Sequence, residues 1–62
     1  MTPIKRFQSR YVVKLTPNEM ATIGTSCQYA VIDTAEDPSL KLSNMVAAFF
    51  TEKGAVYYCE TH

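Results

Sequence analysis

Residues 40–54, LKLSNMVAAFFTEKG, decide the fold. At 100° per residue, Leu42, Met45, Val46, Phe49 and Phe50 gather on one face, with Lys41, Asn44, Ala48 and Thr51 opposite. Period two fits less well, because it sets Asn44 among Leu42, Val46 and Phe50. The spacing predicts a long helix, ending with Lys53 near the negative end of the helix dipole and Gly54 just beyond it. The competing reading is a C-terminal β-hairpin in place of that helix, with Ala47–Phe50 and Ala55–Cys59 as arms and residues 51–54 as the turn.

Upstream, the pattern is clearer. From Arg6 to Leu15 the residues alternate, Phe7, Ser9, Tyr11, Val13 and Leu15 on one side and Arg6, Gln8, Arg10, Val12 and Lys14 on the other. This predicts one half-buried strand. Thr16-Pro17-Asn18-Glu19 follows as a capping box, with Thr at the N-cap, Pro at the first helical position and Glu three residues after the cap. A short helix carrying Met20 and Ile23 inward then closes at Gly24. Cys27–Asp33 is rich in aromatic and β-branched residues and predicts a second strand. Thr34 and Asp37 are alternative N-caps for the long helix, with Pro38 in its first turn. Ala55–Glu60 predicts a last strand, with Tyr57 and Tyr58 on opposite faces.

The expected architecture is a single small α+β domain over residues 1–62, in β-α-β-α-β order. A three-stranded sheet carries one long and one short helix, the long helix covering one face. Sixty-two residues cannot enclose two cores, and a core this small makes a partner surface or a homodimer a natural source of further stability.

Composition excludes several classes. Six Lys and Arg balance six Asp and Glu, so the chain is neither a basic nucleic-acid arm nor an acidic tail. The longest purely apolar run, Met45–Phe50, is far short of a membrane span, and no segment reads as an export signal, so a cytoplasmic location is expected. Cys27 and Cys59 lie 32 residues apart without C-x-x-C spacing and read as reduced, buried thiols, with a disulfide between them as the alternative. With His62 the only histidine and Gly24 and Gly54 the only glycines, no catalytic, metal-ligating or cofactor-binding residue is assigned. The chain is not expected to be an enzyme, and no small-molecule substrate is predicted.

Charge is segregated along the chain. Residues 1–15 hold Lys5, Arg6, Arg10 and Lys14 and no acid, whereas residues 16–40 hold Glu19, Asp33, Glu36 and Asp37 and no base. On one continuous strand Arg6, Arg10 and Lys14 form a row of cations around Val12, on a sheet face the helices leave uncovered. Tyr58 belongs to that face, and Tyr with Arg is the pairing that most often anchors protein interfaces. Arg6, Arg10, Val12, Lys14 and Tyr58 are therefore the expected partner-binding residues. The outer face of the long helix, around Lys41, Asn44, Ala48 and Thr51, is the alternative patch. The plainer reading makes the cations edge-strand charges that block aggregation, or cross-strand partners of Asp33 or Glu60.

The lead expectation is a small protein that binds another protein stoichiometrically, as an adaptor or inhibitor, in the manner of small phage or bacterial accessory proteins. One alternative is a nucleic-acid-associated regulator using the basic strand. That is disfavoured because the net charge is zero and the strand's own aromatics, Phe7 and Tyr11, lie on the face opposite its cations. The other is a self-assembling homodimer with a structural role.

Overall fold

A computed structural model describes residues 1–62 and shows a four-stranded antiparallel sheet with two helices. In chain order the elements are β1 (Thr2–Phe7), β2 (Arg10–Lys14), α1 (Pro17–Ile23), β3 (Tyr29–Asp33), β4 (Met45–Phe49) and α2 (Glu52–Thr61). A single 3-10 turn, Leu42–Asn44, leads into β4. Spatial order follows chain order, β1-β2-β3-β4. The expected three-stranded sheet in β-α-β-α-β order is thus corrected at three places.

The first is residues 6–15, which form a hairpin and not one strand. The chain reverses at Gln8–Ser9, so that Phe7 faces Arg10 and Arg6 faces Tyr11. Gln8 takes a φ of 58°, and Ser9 does not share the positive sign, the φ pattern of a type II′ turn. Gln-Ser lacks the Gly or Asn that normally advertises such a turn, and the alternation runs through it unbroken.

The second is the predicted long helix. Its N-terminal third is held out of helical form by side chain to backbone bonds: the Asp37 carboxylate accepts from the Ser39 N–H, and the Asn44 amide donates to the Ser39 carbonyl at 2.8 Å. Asp37 therefore caps a turn, and Pro38 sits in a loop. Met45–Phe49 then pairs with β3, with a bulge that leaves Val46 without a partner. That extra residue breaks the period-two pattern and makes a strand imitate helical spacing.

The third is the predicted last strand, which is helix α2. The Thr51 hydroxyl accepts from the Gly54 N–H as an N-cap. Gly54 lies inside the first turn, where a Cβ would stand 3.4 Å from the Phe49 ring, so the glycine permits close approach of helix to strand. The alternative hairpin had strand Ala47–Phe50 nearly right, but its second arm, Ala55–Cys59, is helical.

The capping box stands as read. Thr16 Oγ1 accepts from the Glu19 N–H, the Glu19 carboxylate accepts from the Thr16 N–H at 2.8 Å, and Gly24 ends α1 at φ 70°. The other oxygen of Glu19 pairs with the α-amine of Met1 at 2.9 Å.

Both faces of the sheet are covered, where one was expected to lie open. On one face Val13, Leu15, Ala30 and Ile32 pack beneath Met20 and Ile23 of α1, with Leu42 and Met45 beside them. On the other, Val12 and Val31 pack beneath Ala55 of α2, flanked by Phe7, Phe49 and Tyr58. Alternation in β2 and β3 therefore separates two cores rather than core from solvent.

Candidate functional site

The hairpin splits the expected basic stripe. Cross-strand neighbours share a face, so Arg6 lies on the Tyr11 side, its guanidinium 5.6 Å from the Tyr11 ring, while Arg10 and Lys14 lie on the Val12 side. Val12 is fully buried beneath α2. Lys14 is exposed at the end of β2, and Lys5 lies over the Phe7 ring. Of the five expected contact residues, Tyr58 packs against the buried layer that holds Val12, and only Arg10 meets it outside that core. Arg10 and Tyr58 meet because Tyr58 projects from α2 onto the sheet, with the guanidinium 5.9 Å from its ring. The alternative patch on a long helix has no structural counterpart, since Lys41, Asn44, Ala48 and Thr51 fall in a loop, a turn, a strand and a cap.

Around Arg10 the contacts are an ion pair and ring packing, with no side-chain hydrogen bond. Its Nε is 3.8 Å from Asp33, and Tyr58 stacks on His62 with ring centroids 4.8 Å apart. A cleft of about 460 Å³ opens between the Gln8–Ser9 turn, Arg10, Asp33, Cys59 and His62. Burial pushes the Cys59 thiol up, with the Glu60 charge adding to the effect and Arg10 opposing it. The thiol is therefore protonated at neutral pH and a poor nucleophile. Cys27 and Cys59 are both free, and both are partly exposed where burial was expected.

A second cleft, about 320 Å³, lies beside Asp33, Glu36, Asp37, Asn44 and Val46. Two of its three carboxylates are occupied. Asp33 accepts from the Ala35 N–H, and Asp37 pairs with Lys41 at 2.9 Å, a contact that with the Ser39 N–H holds its carboxyl well below the usual carboxylate range.

The sheet edges differ sharply, and sequence reading did not single them out. Edge strand β1 carries Pro3, which has no N–H to offer, a bulge at Ile4, and the cations Lys5 and Arg6. Pro3 and the two cations obstruct the addition of another strand, while a bulge is common to both edges. Edge strand β4, MVAAF, holds neither charge nor proline. Its one irregularity is the bulged Val46, 49% exposed, and Phe50 just past its end is 71% exposed. The missing signal was the strand itself, since a segment read as helix has no edge to expose.

No protein-family model, curated protein or solved structure matches this chain. The fold and its surface define a small α+β domain with one guarded and one open sheet edge. No helix is long and apolar enough to cross a membrane.

Proposed function

We propose that the chain acts by stoichiometric protein binding, as an adaptor or inhibitor, and that its contact surface is the β4 edge. The observation that carries this reading is the contrast between the edges. Main-chain donors and acceptors on the outer side of β4 are unpaired within the sheet, and the apolar Val46 and Phe50 flank them. An extended segment laid along β4 gains main-chain hydrogen bonds and covers those side chains, which is the strand-addition mode of recognition. The earlier candidates contribute less. Arg10 and Tyr58 are engaged with Asp33 and His62, and the division of Arg6 from Arg10 and Lys14 leaves no continuous cationic track for a phosphate backbone.

The test compares wild type with V46K as bait in an extract of the source cells, with nuclease treatment and at two salt concentrations. I4K serves as control, because it places the same charge on the bulged residue of the other edge. A protein retained after nuclease by wild type and I4K but lost from V46K supports the reading. Retention indifferent to V46K removes β4 as the contact, and recovery of nucleic acid that vanishes with salt overturns protein binding in favour of a nucleic-acid regulator.

A further inference from the structure

We propose that the cleft between the end of the sheet and the last turn of α2 binds a free α-amino acid with an apolar side chain, its carboxylate on Arg10 and its ammonium group on Asp33. The site shares no residue with the β4 edge and stands independently of it.

The register of the sheet builds one wall. Phe7 faces Arg10 and Arg10 faces Asp33, so the three form a row across β1, β2 and β3 on the face that carries α2. Cys59 and His62 of the last turn of α2 stand across the cleft from that row. Its volume, about 460 Å³, falls within the roughly 300–1,000 Å³ of small-molecule sites. Phe7 and Ala35 give it an apolar side against which a ligand side chain can lie.

The two charges select the ligand. Met1 with Glu19 and Lys41 with Asp37 close to 2.9 Å, whereas Arg10 and Asp33 stand 3.8 Å apart, beyond hydrogen-bond reach. Each is held by something other than its counter-ion. The Arg10 guanidinium lies over the Tyr58 ring, and the Ala35 N–H fixes one Asp33 oxygen at 2.9 Å. The guanidinium donors and the second Asp33 oxygen are thus positioned at the cleft without a protein hydrogen bond. Opposite charges side by side cancel toward a singly charged ligand. They match a dipolar one, whose carboxylate and ammonium group sit one carbon apart and meet both at once. A plain carboxylate is opposed by Asp33 and a plain amine by Arg10.

The rim of the cleft supplies an independent observation. Gln8, the one non-glycine residue with positive φ, lines it together with Ser9. The turn is anchored through its carbonyls: Gln8 O accepts from Arg6 Nε at 2.7 Å, and Ser9 O accepts from both the N–H and the hydroxyl of Thr34. Its two polar side chains are left for the cleft. A strained residue with a hydrogen-bonding side chain, placed where glycine would relieve the strain, marks a binding rim.

Backbone amide NMR titrations with phenylalanine, phenylpropanoate and phenethylamine test this, since the three share a ring and differ in which charges they carry. Phenylalanine is expected to shift the Ser9, Arg10, Asp33 and Cys59 signals saturably in the millimolar range, and each analogue to bind at least about tenfold more weakly. Arg10→Gln and Asp33→Asn should each weaken phenylalanine by about tenfold or more, whereas Lys41→Gln, which breaks a different ion pair, should leave it unchanged. Gln8→Gly should bind more weakly while folding no less stably. Circular dichroism establishes that each variant folds, and should Arg10→Gln or Asp33→Asn fail to, the analogue series on wild type decides alone. Absence of saturable shifts overturns the proposal, as do shifts clustered away from the cleft. Phenylpropanoate or phenethylamine binding as tightly as phenylalanine overturns it too, in favour of a plain anion or cation site.

Discussion

At the level of single residues, two backbone positions show what a side chain can and cannot signal. Gln8 and Gly24 both hold positive φ, at 58° and 70°. Gly24 is a conformation met by the residue best suited to it, and the helix end was legible for that reason. Gln8 adopts the same region at a steric cost, imposed by the hairpin on either side, and gives no sign of it in sequence. Gln8→Gly should raise stability by up to about 1 kcal/mol, the relief of strain being partly offset by the greater entropy of the unfolded chain. Urea denaturation measures it, and a loss of stability would mean that Gln8 is held by something other than backbone reversal. Glu19 makes a second prediction. Hydrogen bonding from the Thr16 backbone, then pairing with the Met1 amine, lowers its pKa. A carboxylate lowered on folding contributes stability above the unfolded carboxylate range and loses it as pH falls through the folded value. Wild type should therefore exceed Glu19→Gln at pH 7, and the gap should close below about pH 4. Denaturation midpoints of both proteins across that range check the sign.

Among the elements, the reading succeeded where a local chemical device fixed an end and failed where only spacing was available. The Thr16 capping box and Gly24 bound α1 on both sides, and both devices act within four residues of backbone. The segment from Leu42 to Phe50 has no such device. Its apolar spacing fits a helix because the Val46 bulge inserts a residue into the alternation, and a bulge exists only against a partner strand. Likewise Ala55–Cys59 alternates like a strand, yet Thr51 and Gly54 start a helix there. Within α2, Ala55 is wholly buried against Val12 and Val31. Ala55→Leu should thus cost about 1–3 kcal/mol through overpacking, although leucine is a good helix former. Thermal unfolding separates the outcomes, since an unchanged or raised midpoint would show that α2 can shift away from the sheet.

For the molecule as a whole, the main consequence is a core divided between two sheet faces. Only seven residues are buried, four on the α1 face and three on the α2 face. Each layer is thin, so single truncations weigh heavily. Ile32→Ala should cost about 2–5 kcal/mol, a large part of the roughly 3–5 kcal/mol a domain of this size usually has. Equilibrium denaturation would show a protein largely unfolded without denaturant, and a loss below about 1 kcal/mol would mean the α1 face can collapse around the gap.

The sequence by itself determined the composition class, α1 with both its ends, and the strand character of residues 10–14 and 29–33. Each of these rests on interactions between neighbours a few residues apart. Tertiary structure alone decided the reversal at Gln8, the strand at Met45–Phe49, the helix at Glu52–Thr61 and the burial of Val12 between cations. Those depend on which strand lies alongside and which helix lies above. The candidate site follows the same division: Arg10 and Tyr58 could be paired in advance because both residue types suit interfaces, but for a reason the fold does not share. The β4 edge became visible only with the sheet, because an edge is defined by the neighbour a strand lacks.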